Sequence, residues 1–317
     1  METNNKQDYR EFCKNEKSIP VFSKDWWLDA EYGINNWDVA LVKEDNKIIA
    51  IMPFALPVGF FKKSTMPQFA QTLGPWYNFD VINRAKYKLN KEFELQSKLI
   101  AQLPKTKYFI QQFHWSIKNY LPFYWCGFRQ DTKYTHIIND ISNVDNVIEN
   151  FHTSKKRNLK KARKSIKVTL DYPAKDFYND YAKFLIELNS KIQYSEESFL
   201  RIYEASIQNN SGQIFCAKDD QGNVHSALFV VWDANSAYHL ITPINPNQRR
   251  SNSLTLLIVE AISFLKDKTL RYDFEGSMIQ NIEKSFREYG GDLVPYHRIK
   301  KIDSNLLKIL FFIKGRL

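Results

Sequence analysis

Few of the residues that mark disordered, disulfide-rich or metal-binding chains occur in this sequence. Its 317 residues include 10 glycines and 11 prolines, so long flexible linkers are not expected. Its 3 cysteines, Cys13, Cys126 and Cys216, are odd in number and far apart, which excludes a disulfide framework and a paired-cysteine metal site. The 6 histidines form no HExxH motif. We therefore expect no bound metal and a reducing compartment.

Long apolar segments are also missing. No stretch approaches the run of about 18 apolar residues that a membrane-spanning helix needs. Residues 1–17 are polar and lack the apolar centre of a signal peptide. The sequence therefore predicts a cytoplasmic protein without a transmembrane segment.

Acidic residues are absent from residues 155–167, which contain eight lysines and arginines. This segment accounts for eight of the ten net positive charges of the chain. Leu159, Ala162 and Ile166 form one apolar stripe, which predicts a helix with a basic outer face. Three interpretations stay open: a solvated face, a site for a phosphate-rich ligand such as CoA, a nucleotide-linked sugar or tRNA, and contact with an anionic membrane.

The order of predicted elements divides the chain into two similar halves. A chain of 317 residues exceeds the usual size of a single core, so we expect two domains, residues 1–142 and 143–317. Each half has a hairpin or meander, a long helix, a buried strand, a shorter helix and a final strand, which predicts mixed α/β sheets. The corresponding segments are 37–54, 85–103, 107–113, 117–124 and 133–138 in the first half, and 213–242, 253–266, 270–274, 278–289 and 293–299 in the second.

The segment LRYDFEGS, residues 270–277, predicts a short buried strand that ends at Gly276. Asp273 and Glu275 stand at its carboxyl end, where α/β sheets usually place their chemistry. They are candidate catalytic groups. The alternative is that Asp273 braces a turn and Glu275 is solvated.

Several stretches resemble the Fem-like branch of the GNAT acyltransferase superfamily, especially its CelD/BioF-like relatives. They are SKKRNLKKARK at 154–164, the strand, loop and helix at 237–266, YDFEGSMIQNIEKSFREYGG at 272–291, and QTLGPWYNF at 71–79. The resemblance implies tandem GNAT-like domains with a cleft between them. Members of this branch transfer an acyl group from acyl-CoA, or an aminoacyl group from tRNA, to an amine.

Within this resemblance, the candidate catalytic residues lie near two strand ends of the second half. Glu275 or Asp273 is the candidate base, and a backbone amide at residues 240–242 is the candidate oxyanion donor. The candidate acids are Tyr238, His239, Tyr296 and His297, and both histidines are expected to titrate near neutral pH.

Two departures from the family pattern bear on the identity of the acyl donor. CoA-dependent members carry a loop resembling Q/R-x-x-G-x-G/A, whereas residues 248–253 contain no glycine, and Arg249 and Arg250 are the residues that could compensate by charge. Phe286 stands where tRNA-dependent members have the lysine of F-K-x-x-F-G-G, which favours acetyl-CoA over aminoacyl-tRNA. The predicted acetyl-CoA contacts are Thr242, Gln248, Arg249, Arg250, Ser251, Asn252 and Ser253.

The acceptor implied by the resemblance is an amine of a cell-envelope or polysaccharide precursor. The first domain is expected to be a degenerate GNAT-like domain on the acceptor side, and the second to be the acyltransferase domain. The residues predicted to bind the acceptor are Gln71, Trp76, Tyr77, Lys156, Arg157 and Tyr296. A non-catalytic module for a phosphorylated ligand and a basic RNA-binding protein are the competing interpretations.

The last predicted helix, residues 305–313, is apolar nearly all round and too short to span a membrane. It either packs into the second domain or lies on a membrane surface. A tRNA and an anionic membrane at the inner face are therefore partners that the sequence leaves open.

Overall fold

A computed structural model describes residues 2–276 and 278–313. Its α-helices are α1 (Asn4–Asn15), α2 (Asp25–Tyr32), α3 (Phe79–Arg84), α4 (Lys88–Ile100), α5 (Leu121–Trp125), α6 (Val144–Glu149), α7 (Thr153–Ala162), α8 (Ala174–Glu187), α9 (Glu196–Gln208), α10 (Ser253–Leu265), α11 (Gln280–Arg287) and α12 (Asn305–Ile313). Its strands are β1 (Trp37–Glu44), β2 (Lys47–Ala55), β3 (Lys63–Ser64), β4 (Trp76–Tyr77), β5 (Tyr108–Gln112), β6 (Arg129–Ile138), β7 (Lys167–Thr169), β8 (Gly212–Lys218), β9 (Val224–Trp232), β10 (Ser236–Ile241), β11 (Arg271–Asp273) and β12 (Asp292–Ile302).

The chain divides into two compact units. The first ends at Lys133 and resumes at Pro295, and the second runs from Tyr134 to Val294. Each unit combines helices with paired strands, as the predicted mixed α/β class requires. The division into domains at residue 142 stays a prediction. No helix among the described residues is long and apolar enough to cross a membrane.

The first unit contains an antiparallel hairpin. Strands β1 and β2 are joined by Asp45 and Asn46, whose φ angles of 48° and 60° suit a tight hairpin turn. Strand β4 pairs with the outer side of β2. Strand β5 pairs in parallel with β3 and antiparallel with β12. Leu95 and Leu99 of α4 are fully buried in the core that this unit forms around Phe109.

The second unit is built around four antiparallel strands in the order β7–β8–β9–β10. Strand β9 is buried along nearly its whole length, because its apolar run is covered on both faces. Helix α10 is apolar nearly all round, and its side chains pack in the core of this unit. It leads from these strands to β11, which pairs in parallel with β10 and antiparallel with the end of β6.

The pairing of β10 with β11 ends before β10 itself does. In the described register, the last pair is Tyr238 with Asp273. On its other side, β10 has a bulge against β9 between His239 and Ile241. The carboxyl ends of the two parallel strands therefore separate after Tyr238, which leaves space for a ligand between them.

The helix predicted over residues 85–103 is present as α4. The short helix α3 before it was not predicted; Asn78 caps it by accepting hydrogen bonds from the N–H groups of Asp80 and Val81.

Candidate functional site

A cavity of about 840 Å³ lies where β10 and β11 separate. The strand ends contribute residues 239–242 and 274–276. The remaining walls come from helices α7, α8, α10 and α11, from residues 193–194, from the loop before α10 and from Tyr289. All of its lining residues belong to the second unit. A cavity of this size suits a ligand with both apolar and polar parts.

The turn after β11 brings Glu275 to this cavity. Glu275 and Gly276 have φ angles of +57° and +65°, a left-handed conformation that a glutamate adopts rarely. Gly276 also packs against backbone, since an added Cβ would lie 2.9 Å from the Cα of Thr135. Asp273 holds the turn: its Oδ1 accepts a hydrogen bond from the Glu275 N–H at 2.8 Å and another from the Thr135 hydroxyl. The fully buried Asp273 thus positions Glu275 and does not line the cavity.

The carboxyl group of Glu275 is held in an apolar environment. Its Oε1 atom is buried and has no hydrogen-bond partner among residues 2–276 and 278–313. Burial, and then the nearby charge of Asp273, raise the pKa of Glu275 well above its usual range. The rest of the residue is partly exposed, so a ligand in the cavity can reach it. A carboxyl with a raised pKa is a stronger base once ionised, as proton abstraction from an amine requires.

His239 is a neutral bridging group. Its Nδ1 lies 2.8 Å from the Tyr272 hydroxyl, and its Nε2 lies 2.6 Å from Oγ1 of Thr242. Burial lowers the pKa of His239 to about 3. The expectation that His239 titrates near neutral pH was therefore wrong, because burial disfavours the charged form of the ring. His239 instead anchors Thr242 at the end of β10.

Tyr238 points away from the cavity. Its hydroxyl donates to Oδ2 of Asp233 at 3.3 Å, and burial raises the pKa of Tyr238 well above its usual range. Tyr238 is therefore a poor proton donor for a reaction at the cavity. The sequence did not indicate which face of the strand its side chain would occupy.

The predicted donor loop reaches the cavity in part. Thr242, Arg249, Asn252 and Ser253 line it, whereas Gln248, Arg250 and Ser251 do not. Asn252 has a φ of +60° and leads directly into α10, so the amino end of this 13-residue helix faces the cavity. In Arg250 the backbone carbonyl accepts a hydrogen bond from Nζ of Lys161 at 2.9 Å. The site therefore combines a helix N-terminus with one arginine, and both groups favour the binding of a phosphate.

Lys155 is a cavity residue that the sequence analysis missed. It is only 8% exposed, and its Nζ donates to Oγ of Ser285 at 2.9 Å and lies 4.4 Å from the centre of the Tyr289 ring. Burial lowers the pKa of Lys155, and Glu288, 3.8 Å away, opposes this shift. The spacing 155, 159, 162, 166 places it on the apolar stripe of the helix, and that signal was available in the sequence.

The two neighbouring basic residues chosen as acceptor contacts, Lys156 and Arg157, lie outside the cavity lining. The Nζ of Lys156 donates to the backbone carbonyl of Glu149, and Arg157 is exposed.

Phe286 forms part of an aromatic wall. Its ring centre lies 5.1 Å from that of Phe274 and 5.6 Å from that of His239. Tyr289 also stacks on Phe274, with the ring centres 5.3 Å apart. This wall makes the cavity apolar near Glu275 and contributes to the raised pKa of its carboxyl group.

The remaining predicted acceptor residues belong to the first unit. Gln71, Trp76, Tyr77 and Tyr296 are all buried there. The Trp76 indole donates to the Ser18 hydroxyl at 3.0 Å, so this ring has a packing role. His297, the other candidate acid, lies in the same unit, and its Nε2 is 3.0 Å from the backbone carbonyl of Lys118. Their roles toward an acceptor stay predictions.

Comparison with known proteins relates this chain to a fold. No family model matches the sequence, and no curated protein matches it. Among solved structures, FemX has a TM-score of 0.68 at 12% identity, over 99% of this chain and 98% of FemX. A tandem GNAT protein from the clavulanic acid biosynthesis pathway has a TM-score of 0.51 at 10% identity, over 96% and 97% of the two chains.

A third similar structure is the C-terminal domain of a candidate lysylphosphatidylglycerol synthetase from Agrobacterium fabrum. It has a TM-score of 0.56 at 10% identity, over 98% of this chain and 96% of that one. Likeness at such low identity concerns the fold and not the activity. The chain therefore has the tandem GNAT fold of the Fem-like type, which is the fold that the sequence motifs implied.

Proposed function

We propose that this chain is an N-acyltransferase and that the cavity between the ends of β10 and β11 is its acyl-transfer site. The observation that carries the proposal is the buried Oε1 of Glu275, which lacks a partner in the described part of the chain and is held in a left-handed turn at the strand opening. Backbone strain and a strongly shifted pKa at one residue in a cavity are typical of a functional site.

The reaction follows from the groups around this point. The ionised Glu275 carboxylate takes a proton from the acceptor amine, directly or through water, as the nitrogen attacks the carbonyl carbon of the donor. A backbone N–H at residues 240–242 stabilises the oxyanion of the tetrahedral intermediate. When the intermediate collapses, the bond to the leaving group breaks and the leaving group receives the proton held by Glu275. The amide forms and Glu275 returns to its ionised state.

The proposed donor is acetyl-CoA. Arg249 and the amino end of α10 at Asn252 and Ser253 supply a cation and backbone donors for a pyrophosphate. Lys155 adds a second, buried cation on another wall of the cavity. These groups are the reason to keep acetyl-CoA as the donor although the loop has no glycine.

An aminoacyl-tRNA donor is the second candidate. In the family motif of tRNA-dependent members, a lysine stands at the position of Phe286. Here Lys155 supplies a cation beside Ser285, the residue before Phe286. Helix α7 and the residues after it also expose a basic surface that suits a polyanion: Arg157, Lys160, Lys161, Arg163 and Lys164. Under either donor, the proposed acceptor is an amine of a cell-envelope or polysaccharide precursor.

A titration that follows thermal unfolding tests the donor. A ligand that binds only the folded protein at about 100 times its dissociation constant stabilises it by about 2.7 kcal/mol. We expect acetyl-CoA to raise the melting temperature saturably and Arg249→Ala to reduce this shift. The matched control is Arg250→Ala, since Arg250 does not line the cavity. If acetyl-CoA leaves the melting temperature unchanged and tRNA raises it, aminoacyl-tRNA becomes the proposed donor instead.

Turnover separates an enzyme from a binding module. We expect release of free thiol from acetyl-CoA when amino sugars are supplied as acceptors, and loss of this release in Glu275→Gln. A module without chemistry would bind the donor equally well in both proteins and release no thiol in either.

A further inference from the structure

Helix α12 exposes most of its apolar side chains. It is attached to the first unit by the buried Leu307 and by Phe311, whose ring lies 5.2 Å from that of Tyr108. Of the two alternatives for this helix, packing into the second domain is contradicted, because Phe311 contacts Tyr108 of the first unit. The side chains that point outward include Phe312, which is 75% exposed, and Ile309, which is 57% exposed. The full outward set is Leu306, Ile309, Leu310, Phe312 and Ile313.

A tight turn at residues 58–63 exposes a second apolar group. Val58 and Lys63 exchange backbone hydrogen bonds of 3.0 and 2.9 Å, and the Lys62 N–H donates to the Gly59 carbonyl at 2.9 Å. These bonds fix the backbone of the turn. Phe60 at its tip is nevertheless 90% exposed. A large aromatic ring held in water by an ordered turn indicates an interaction surface.

The turn and α12 lie at the same end of three paired strands. Lys63 of β3 is paired with Tyr108 of β5, and Tyr108 is paired with Ile302 of β12. Backbone hydrogen bonds continue this connection, from the Lys107 N–H to the Lys62 carbonyl and from the Asp303 N–H to the Lys107 carbonyl. Helix α12 begins two residues after Asp303, so the two exposed apolar groups are both attached to this end of the strands.

A basic cavity of about 470 Å³ opens at the same end of these strands. Four lysines line it, with Asp303 as the single acidic residue among its lining residues. The lysines are Lys62, Lys105, Lys107 and Lys301. Its floor is apolar and includes Leu103, Phe109 and Phe128. Lysines around an apolar floor suit a phosphate headgroup that is attached to a hydrocarbon chain.

We propose that α12 and the turn at residues 58–63 dock the first unit onto an anionic lipid membrane. The apolar side chains enter the interface between headgroups and acyl chains, and the four lysines hold anionic headgroups. Apolar insertion and a basic patch are the two signals that stable peripheral binding needs. Helix α12 has nine residues, so it lies in the membrane surface and does not cross it.

Charge favours a membrane over other occupants of this surface. A second copy of the chain would bring the same lysines face to face, and like charges oppose such an interface. A nucleic acid would pair with the lysines but would leave the exposed aliphatic side chains of α12 without a partner. An anionic bilayer satisfies both features at once.

Vesicle co-flotation with the full chain tests this proposal. The probes are vesicles of phosphatidylcholine alone and of phosphatidylcholine mixed with phosphatidylglycerol. We expect binding to the mixed vesicles and little binding to phosphatidylcholine alone. Each of Lys62→Gln and Lys105→Gln should weaken binding about fivefold, the loss expected for one lysine near an anionic surface.

The apolar variants are Phe60→Ser and the double variant Ile309→Ser/Phe312→Ser. Both should reduce binding more than tenfold, even at low salt. The matched control is Ile186→Ser, which removes a side chain that is 63% exposed on α8 in the second unit, and it should bind as the wild type does. The substituted side chains are exposed, so unchanged circular dichroism melting is expected and shows that folding is intact.

Four results would overturn the proposal. The first two are equal or absent binding to the two kinds of vesicle, and unchanged binding by the apolar variants. The third is a dimer in sedimentation velocity that the Ile309→Ser/Phe312→Ser variant dissociates, which would identify a second copy as the occupant. The fourth is tight RNA binding that the Lys62→Gln and Lys105→Gln variants abolish, without vesicle binding, which would identify a nucleic acid instead.

Discussion

The Oδ1 atom of Asp273 accepts a hydrogen bond from the backbone N–H of Glu275 at 2.8 Å. One carboxylate thus holds the turn that carries the other, and its charge also helps to raise the pKa of Glu275. The two acidic residues therefore have different roles: Asp273 positions the site, and Glu275 is the group that a substrate can reach.

Neutralising Asp273 should separate its charge from its hydrogen bonds. Asp273→Asn keeps an acceptor oxygen for the turn but removes the negative charge beside Glu275. The pKa of Glu275 should fall, because one cause of its increase is removed, so the acidic limb of the pH–rate profile should move to lower pH. Asp273→Ala loses both effects and should lower the free energy of unfolding by about 1–3 kcal/mol. If the acidic limb of the pH–rate profile is at the same pH in Asp273→Asn and in the wild type, this limb does not arise from the ionisation of Glu275.

Gly276 should be far less tolerant of a side chain than another glycine with a similar backbone. In Gly276→Ala, the added Cβ meets the backbone of Tyr134 and Thr135 at a φ of +65°. We expect a loss of about 3 kcal/mol in the free energy of unfolding, from strain and steric overlap together.

The control is Gly222→Ala. Gly222 has a φ of +84° and open space around an added Cβ, so this change should cost about 1 kcal/mol from backbone strain alone. Urea denaturation of both variants measures the difference. Equal losses would mean that the close packing of Gly276 does not matter.

The stability of the protein should depend on pH through Glu275. Because the pKa of Glu275 is raised in the folded state by burial, the folded protein binds this proton more tightly than the unfolded chain does. The stabilisation by the protonated carboxyl is present below the unfolded pKa of about 4.3 and is lost as pH rises through the folded-state pKa.

Glu275→Gln removes this ionisation. The variant should therefore be more stable than the wild type near neutral pH, and the difference should shrink as pH falls toward about 4. Denaturant unfolding at several pH values measures it. A pH-independent difference would contradict the raised pKa of Glu275.

Lys155 and Lys156 form a natural pair for testing the cavity. Lys155 is buried in its lining, whereas Lys156 lies outside it. If Lys155 contacts a phosphate of the donor, Lys155→Met should weaken donor binding about tenfold or more, the loss of one charge-assisted hydrogen bond. Lys156→Met should change the dissociation constant less than twofold. Calorimetric titration of both variants measures the contrast, and equal effects would point to the overall charge of α7 instead.

Much of the fold could be predicted from the sequence because the second unit has strong local signals. The apolar run of β9, the apolar periodicity of α10 and the turn residues between strands agree with one another, and these elements occur close to their predicted bounds. The helix predicted over 85–103 occurs as α4, whereas the six-residue α3 before it was missed, because its main signal is a single asparagine cap.

The candidate site could be predicted only in part. The motif around Asp273 and Glu275 indicated its place, but the direction of each side chain depends on the end of the β10–β11 pairing and on a bulge. For this reason Tyr238 was predicted as a catalytic residue, although its hydroxyl donates to Asp233. The low pKa of His239 also depends on burial by residues distant in sequence, such as Phe286, which no local motif reveals.

The central claim is that Glu275 is the base of an acyltransferase, and the most direct measurement compares acetyl transfer by the wild type and by Glu275→Gln. Acetyl-CoA would be mixed with each protein and with amino sugar acceptors, and the acetylated amine quantified by mass spectrometry. We predict that Glu275→Gln binds acetyl-CoA as the wild type does but transfers acetyl at least about 100-fold more slowly, as loss of a general base requires. Transfer by Glu275→Gln within a few-fold of the wild-type rate would contradict the account. So would a wild type that binds acetyl-CoA and acetylates no amine.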